Sequence, residues 1–310
     1  MGKENTTIIS LTENIRKRLI GKDDVIRKVI ICLIAQGHVL LEDVPGVGKT
    51  SLAKALADSI SVSFSRIQCT PDTTPADITG LSIYSSSNES FQIVPGPVNN
   101  NIVLADELNR TSPKTQSALL EVMEEHRITI DGKDIPVPEP FMVIGTQNPS
   151  QMAGTYPLPE ASLDRFMMKL SVGYPDSSAS EDMAKRFLEG SLHEKTESVC
   201  SGQDILEMQK ECQKVTIHDN LRAYAVQIIE ATRNKAEVSC GASPRALLSL
   251  LRCAQAIAYI DGRDYCIPED IAEAAKLSIP HRLVLSTESK LSKVTKEDIV
   301  NKILTQVKVP

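Results

Sequence analysis

The stretch LEDVPGVGKTSLAKALA, residues 41–57, joins a short apolar run to a glycine-bearing loop and then to a helical pattern. Gly48, Lys49 and Thr50 occupy the last three positions of the phosphate-loop pattern GxxxxGK[ST]. Asp43 stands where the first glycine of that pattern belongs, so the motif fails at one position. A plain glycine turn followed by a chance Lys-Thr pair is the alternative interpretation.

The chemistry of phosphate binding decides between the two. A polyanion needs inward backbone N–H groups, a lysine, a hydroxyl for magnesium and the N-terminus of a helix. The loop supplies all of these, and Asp tolerates unusual backbone angles better than most residues. We therefore predict a binding site for ATP and Mg²⁺ whose nucleotide-binding residues are Asp43, Val44, Pro45, Gly46, Val47, Gly48, Lys49, Thr50 and Ser51, with Thr50 also a metal ligand.

Strands and helices alternate in the first half of the chain. Apolar runs predict five strands, at 38–41, 61–69, 101–107, 141–148 and 165–172. Such alternation is typical of a parallel, doubly wound sheet whose ligand lies at the carboxyl edge of the strands. A helix, a turn and a second helix are predicted before the first strand, between residues 11 and 36.

Two segments interrupt this alternation and predict hairpins outside the core sheet. Residues 81–94 hold two short β-prone runs around a polar turn, and residues 127–138 hold an Asp-Gly turn between alternating arms. Either hairpin could be a surface decoration or a finger that contacts a substrate.

The composition changes at residues 173–180. A Pro-Asp-Ser turn there leads into Ser178, with Glu181 three residues later, which predicts a capping box. No further strands are predicted, and the domains are expected to be 1–175 and 176–310. The predicted helices are 180–190, 203–214, 219–232, 244–260, 268–277 and 294–306.

Asp106 and Glu107 end the strand at 101–107. In phosphoryl transfer one such carboxylate holds magnesium and a second one orients the attacking water. Asp106 is the predicted metal ligand and Glu107 the predicted base. A lone Asp-Glu pair after a strand is a weak signal, but one about fifty residues after a phosphate loop is strong.

Three further residues are catalytic candidates. Asn148 ends a strand and could hold the attacking water, although Asn-Pro is also a common turn. Arg165 lies at the rim of the domain, where an arginine most often forms a surface salt bridge. Arg245 lies in the first turn of a helix, where a cation is mildly unfavourable unless an anion is near.

Composition limits the class of protein. The 310 residues carry 34 Lys and Arg against 40 Asp and Glu, so no overall basic field favours nucleic acid or an anionic membrane. No apolar run is long enough for a membrane span and no signal-peptide core is present, so a cytoplasmic protein is expected. The seven cysteines and five histidines are scattered, which favours reduced thiols and gives no metal cluster.

Six segments together resemble the MoxR family of AAA+ ATPases, over about residues 12–285. They are GHVLLEDVPGVGKTSLAKALA, PADITG, PGPV, ADELNRTSPKTQSALLEVMEEHRITIDG, TQNPSQMAGTYPLPEASLDRF and GASPRALLSLLRCAQAIAYIDGRDY. The resemblance extends to the Asp in place of the first loop glycine. It implies a five-stranded AAA+ P-loop sheet followed by an all-α lid. Leu108 departs conservatively from the isoleucine of many members.

The resemblance also implies residue roles. Asp106 and Glu107 would form the Walker B pair, Asn148 would be sensor 1, Arg165 an arginine finger acting on a neighbour's nucleotide, and Arg245 sensor 2. The two hairpins would be the helix-2 insert and the pre-sensor-1 hairpin. Members of the family form rings, so a hexamer is expected, and they commonly work with a von Willebrand A domain protein.

The sequence therefore predicts an ATP-hydrolysing motor that remodels protein partners in the manner of a chaperone. The alternative is a nucleic-acid motor or clamp, or a chelatase-like ATPase of the same clade. In the hairpin at 127–138 two basic residues are offset by two acidic ones, which weighs against DNA. A binding module without turnover is disfavoured because Glu107 is retained.

Overall fold

A computed structural model describes residues 6–44, 46–86, 89–148, 156–189 and 197–309. The first half of the chain alternates helices and strands. Its elements are α1 (Thr6–Arg16), α2 (Asp23–Ile34), β1 (Val39–Glu42), α3 (Lys49–Ser59), β2 (Phe64–Gln68), α4 (Pro75–Thr79), β3 (Gly80–Ser85), β4 (Ser90–Pro95), β5 (Ile102–Asp106), α5 (Pro113–Glu125), β6 (Arg127–Ile130), β7 (Lys133–Pro136), β8 (Met142–Gln147), α6 (Glu160–Leu163) and β9 (Met168–Leu170), with a 3₁₀ turn at Leu108–Arg110.

Five of these strands form the core sheet, in the order β2-β5-β8-β1-β9. Every neighbouring pair is parallel, which confirms the predicted parallel five-stranded sheet. Strand β8 is buried along its whole length because helices and loops cover both faces. Gln68 pairs with Asp106 in the register, so β2 and β5 end at the same edge. This edge carries the predicted chemistry.

Helix α3 packs against the sheet through one face. Leu52, Ala55, Leu56 and Ser59 on that face are fully buried, as their spacing predicts. Burying each leucine contributes roughly 1.5–3 kcal/mol, so the helix that follows the loop is held firmly on the sheet. The N-terminus of α3 thereby has a fixed position at the carboxyl edge of β1.

The two predicted hairpins, β3–β4 and β6–β7, form separate two-stranded antiparallel sheets. Neither belongs to the core sheet, as predicted. In the second hairpin Ile130 pairs with Lys133, so Asp131 and Gly132 form the two-residue turn, both with positive φ. Asp-Gly favours this turn because both residues tolerate the left-handed region.

The second half of the chain is mainly helical. Its elements are α7 (Ser177–Leu188), α8 (Gly202–Cys212), α9 (Asp219–Arg233), β10 (Val238–Cys240), α10 (Pro244–Ile260), α11 (Pro268–Ser278), β11 (Val284–Leu285), α12 (Thr287–Leu291) and α13 (Lys296–Gln306), with a 3₁₀ turn at Pro280–Arg282. The prediction that strands are absent here was wrong, because β10 and β11 pair antiparallel. Strands of three and two residues are too short to produce an alternating pattern. Within the described ranges no helix combines the length and apolarity that crossing a membrane requires.

The predicted capping box at the start of α7 was also wrong. Asp176 is the N-cap, and its carboxylate accepts a hydrogen bond from the Ala179 N–H at 2.8 Å. The Ser178 hydroxyl donates to Asp176 instead of capping the helix. A carboxylate at this position both accepts from the free N–H groups and interacts favourably with the helix dipole.

A buried polar network joins the helical part to the sheet. The Arg282 side chain, only 2% exposed, donates from Nε to Asp164 at 2.9 Å and from Nη2 to the Phe166 carbonyl at 2.9 Å. Ser243, the N-cap of α10, donates to the same Asp164 carboxylate. This network places the start of α10 against the segment that precedes β9, and so brings Arg245 close to Arg165.

Candidate functional site

The predicted phosphate loop connects β1 to α3. Gly46 and Gly48 have φ values of +86° and +96°, in the left-handed region that favours glycine. A Cβ at Gly46 would meet no heavy atom within 4 Å, so its backbone angle rather than crowding requires glycine. Helix α3 begins at Lys49, and its first turn offers the unpaired N–H groups that suit an anion. Pro45 lies outside the described residues.

The Lys49 ammonium lies inside the loop. Its Nζ donates to the Asp43 carbonyl at 2.8 Å, and the residue is buried. Burial lowers the pKa of Lys49, while the carboxylates of Asp106, Asp43 and Glu107 oppose that shift. Three carboxylates therefore favour the charged form of the lysine, and an entering phosphate would supply a further partner.

Asp43 has a different role from the one expected. It is not among the described residues with positive φ, so tolerance of unusual backbone angles does not explain it. Its buried carboxylate accepts hydrogen bonds from the Ser171 hydroxyl at 2.8 Å, from the Gly173 N–H at 3.2 Å and from the Val172 N–H. Asp43 thus ties the start of the loop to the segment between β9 and the helical part.

The two candidate carboxylates follow β5 and contact β8. Asp106 Oδ1 accepts from the Thr146 hydroxyl at 2.7 Å, and Oδ2 accepts from the Arg66 guanidinium at 2.6 Å. The same Thr146 hydroxyl accepts from the Glu107 N–H at 2.8 Å. Glu107 itself has φ of +58°, an unfavourable angle for a residue other than glycine. Strained backbone of this kind clusters at functional sites.

Two groups hold the Glu107 carboxylate. Arg110 Nη1 donates to Oε2 at 2.8 Å, and Asn148 Nδ2 donates to Oε1 at 2.9 Å. Arg110 lowers the pKa of Glu107, and the Asn148 amide acts in the same direction. Glu107 is therefore ionised at neutral pH, and the pairing of β5 with β8 brings Asn148 beside it.

These residues line one cavity of about 390 Å³, which we call the phosphate cavity. Its lining comprises Gly46, Gly48, Lys49, Thr50, Ser51, Arg66, Gln68, Asp106, Glu107 and Asn148. In the described part of the chain no group of three or more His, Cys, Asp or Glu side chains could hold a metal ion. Thr50 and Asp106 would supply two oxygen ligands, which fits Mg²⁺ because that ion takes its remaining ligands from phosphates and water.

A second cavity, of about 580 Å³, adjoins the loop and was missed by the sequence analysis. Beside Gly46, Gly48, Thr50 and Ser51 it is lined by Arg18, Leu19, Ile20, Lys22, Val47, Lys54, Tyr174, Pro175 and Met183. It has room for the base and ribose of a nucleotide whose phosphates lie on the loop. The turn after α1 and the segment before α7 converge here only in three dimensions, so their sequence patterns gave no signal.

Arg165 and Arg245 do not line the phosphate cavity. They line a third cavity, of about 260 Å³, together with Arg252 and Glu124, and we call it the arginine cavity. Arg165 Nε donates to Glu124 Oε2 at 2.9 Å, and Arg245 Nη2 donates to Oε1 of the same carboxylate. Glu124 is thus the anion that offsets the unfavourable position of the Arg245 cation in the first turn of α10.

The arginine cavity has an excess of positive charge. Three guanidinium groups line it, and Glu124 is the one carboxylate among its lining residues. Arg252 forms no ion pair within the ranges that the structure describes. An incoming anion would therefore meet cations that are only partly neutralised.

Comparisons with known proteins agree with this arrangement. Residues 38–168 match the ATPase family associated with various cellular activities (AAA), and residues 230–303 match the AAA lid domain. Uncharacterized protein YeaC of Bacillus subtilis is 48% identical, over 96% of this chain and 93% of that protein. Chaperone MoxR1 of Mycobacterium tuberculosis is 39% identical, over 96% of this chain and 80% of its own.

A solved structure is also similar. The crystal structure of a candidate ATPase from Cytophaga hutchinsonii has a TM-score of 0.92 and 37% identity, and the match covers 98% of this chain and 95% of that one. The sheet, the helical lid and relatives of this similarity along nearly the whole chain show the family. The chain belongs to the MoxR family of AAA+ ATPases and is an ATP-hydrolysing enzyme.

Proposed function

We propose that the phosphate cavity hydrolyses ATP with the help of Mg²⁺. Lys49 and the N–H groups at the start of α3 bind the phosphates, while Thr50 and Asp106 would hold the metal ion, which would supply positive charge against the phosphates. The ionised Glu107 accepts a proton from the attacking water, and the Asn148 amide orients that water. The contact of Asn148 Nδ2 with Glu107 Oε1 at 2.9 Å supports these roles, because it places the amide beside an ionised carboxylate that can accept a proton.

We further propose that Arg165 and Arg245 act on the nucleotide of a neighbouring subunit. The observation that carries this proposal is their position, because the arginine cavity and the phosphate cavity share no lining residue. A cation that stabilises the γ-phosphate in the transition state must come close to it. A pair of subunits in which the arginine cavity of one faces the phosphate cavity of the other would satisfy this requirement.

A contact between two different surfaces repeats head to tail, so it closes into a ring when the rotation allows. We propose such a ring, a hexamer, built from an α/β domain of residues 1–175 and a lid of residues 176–310. The family matches at 38–168 and 230–303 fall on either side of that boundary and support it.

The ring is proposed to remodel protein partners in the manner of a chaperone. The name of the relative Chaperone MoxR1 supports this role. The β3–β4 hairpin also exposes apolar side chains that a folded protein could contact, namely Leu81, Ile83, Tyr84, Phe91 and Val94. A protein with a von Willebrand A domain is one proposed partner, and the seven free cysteines suit a cytoplasmic site of action.

Nucleic acid is a weaker candidate partner. In the β6–β7 hairpin Arg127 pairs with Glu125 at 3.1 Å and with Asp134 at 3.5 Å, so its charge is already neutralised. A finger that follows a phosphate backbone needs unpaired cations.

The dependence of the rate on protein concentration tests the proposed assembly. We expect the ATP hydrolysis rate per chain to rise with concentration, in parallel with the mass measured by light scattering in the presence of nucleotide. The Arg165→Ala variant should bind nucleotide with unchanged affinity and hydrolyse it on the order of a thousandfold more slowly. A wild-type rate per chain that stays constant down to the monomer would exclude catalysis between subunits.

A further inference from the structure

We propose that Arg66 is a positioning residue that competes with the divalent cation for Asp106. By this competition Arg66 sets how strongly nucleotide binding depends on that cation. The inference rests on the proposed function, because it takes Asp106 as the metal ligand.

The first observation is the place of Arg66 in the sheet. Arg66 and Gln68 lie two residues apart on the edge strand β2, and Gln68 pairs in register with Asp106. Residues two apart on a strand point to the same face. Both side chains line the phosphate cavity. The edge strand β2 therefore contributes residues to a site that was predicted to be built from the loop, β5 and β8 alone.

The second observation is the occupation of the Asp106 carboxylate. One oxygen accepts the Thr146 hydroxyl, and the other accepts Arg66 Nη2 at 2.6 Å. A metal ion bound to the second oxygen, directly or through a water, would place two cations, the metal and the Arg66 guanidinium, close to one carboxylate. Since like charges at such distances repel, binding of the cation and the Arg66 ion pair oppose each other.

The exposure of the two partners sets the strength of this competition. The Arg66 side chain is 47% exposed, whereas the Asp106 side chain is 13% exposed. An ion pair with one well-solvated partner is weak, so a dication assisted by phosphates can displace the guanidinium. Without the arginine, the charge of Asp106 would be less well compensated where it faces the nucleotide phosphates.

A third observation separates this role from direct phosphate binding. Arg66 Nη2 also donates to Gln68 Oε1 at 2.7 Å, and the Gln68 amide lies 3.4 Å from Glu107 Oε2. Two partners, the Asp106 carboxylate and the Gln68 amide oxygen, thus hold the Arg66 guanidinium in place. Lys49, which lies within the loop itself, is the cation placed for the phosphates.

The test measures nucleotide affinity instead of hydrolysis. A fluorescent ADP analogue is titrated into the full chain, first with a chelator and then across a series of free Mg²⁺ concentrations. The measured quantity is the ratio of the dissociation constant without Mg²⁺ to that with saturating Mg²⁺. For Arg66→Met we expect this ratio to increase about three- to fivefold over wild type, with a matching fall in the Mg²⁺ concentration at half effect.

Two variants serve as controls for charge. Arg127→Met removes an arginine of similar exposure whose partners, Glu125 and Asp134, do not line the phosphate cavity, so its ratio should stay at the wild-type value. Arg66→Lys keeps the positive charge at the same position, so it should restore a ratio between those of wild type and Arg66→Met. Circular dichroism of each variant confirms that the fold is intact.

The outcomes distinguish this inference from the proposed function. An unchanged ratio in Arg66→Met, or an equal loss of affinity with and without Mg²⁺, would overturn the role of Arg66. Asp106→Asn should make the affinity nearly independent of Mg²⁺. If Asp106→Asn instead keeps the wild-type dependence, the metal site itself is misassigned and the proposed function fails at that point.

Discussion

The phosphate cavity and the arginine cavity hold their charged groups in different ways. In the phosphate cavity Lys49 and Arg66 are matched by the carboxylates of Asp106 and Glu107. In the arginine cavity the guanidinium groups outnumber the single carboxylate of Glu124. The charges of the phosphate cavity are nearly balanced, whereas the arginine cavity keeps an excess of positive charge that could interact with an anionic partner.

The two cavities also differ in what builds them. The phosphate cavity takes its residues from the loop and from the ends of neighbouring strands in one sheet. The arginine cavity joins the sheet domain to the helical lid, through Arg165 on one side and Arg245 on the other, and the Asp164–Arg282 ion pair holds the two parts together. This difference fits the proposed roles, in which the phosphate cavity binds the nucleotide and the arginine cavity completes a neighbour's site.

The largest expected effects fall on the phosphate cavity. Glu107→Gln should retain nucleotide affinity and lose hydrolysis by about a hundredfold or more, because it removes the base. Lys49→Ala should weaken nucleotide binding by about ten- to a hundredfold, because it removes a charged partner of the phosphates. Titration with labelled nucleotide and steady-state hydrolysis separate the two. Undiminished turnover in Glu107→Gln would refute the assignment of the base.

A smaller effect is expected at the carboxylate of the arginine cavity. Glu124→Gln keeps the shape of the side chain but removes the charge that positions Arg165 and Arg245. We expect about a tenfold fall in kcat with unchanged nucleotide affinity, because misplaced catalytic groups lower the rate. Glu125→Gln, at the next position and paired with Arg127, is the matched control and should behave like wild type. Weakened nucleotide binding in Glu124→Gln would contradict the separation of the two cavities.

The prediction with the smallest effect on activity concerns His38, a histidine that lines the arginine cavity. His38 is buried, its Nδ1 accepts from the Val143 N–H at 3.0 Å, and its Nε2 lies 3.1 Å from the Met123 carbonyl. Burial lowers the pKa of His38 to about 4, and His126 adds to that shift. Only the neutral ring satisfies both partners, because a protonated Nδ1 would oppose the Val143 N–H.

This shift links stability to pH. The pKa of His38 is lower in the folded chain than in the unfolded chain, so its contribution is complete above pH 6.5 and is lost as the pH falls towards 4. The shift corresponds to about 3 kcal/mol of unfolding free energy across that window. Denaturant unfolding at several pH values should show a shallower slope for His38→Phe than for wild type. The exposed His218→Gln is the control, and a His38→Phe slope equal to its slope would refute the prediction.

Much of the phosphate cavity was predictable because its signals are local. The groups that would bind phosphate all lie within the loop from Gly46 to Thr50. Asp106 ends a strand, and Glu107 follows it directly. Asn148 required only the pairing of two adjacent strands. The hairpin at 127–138 was equally local, since Asp131 and Gly132 determine its turn.

The features that could not be predicted depend on contacts between distant parts of the chain. The Asp43 carboxylate binds Val172 and Gly173, 129 and 130 residues later. Arg66 reaches Asp106 only because β2 pairs with β5. Periodicity and spacing describe single elements, so they carry no information on which carboxylate a remote arginine meets.

The most direct test of the central claim mixes two inactive variants. Arg165→Ala keeps an intact Glu107, and Glu107→Gln keeps an intact Arg165, so a mixed ring contains interfaces in which both groups are native. We predict that each variant alone hydrolyses ATP at a small fraction of the wild-type rate and that the mixture regains hydrolysis as the two variants co-assemble. A mixture that stays inactive, although mass measurements show both variants in the same particles, would contradict the claim that Arg165 serves a neighbour's nucleotide.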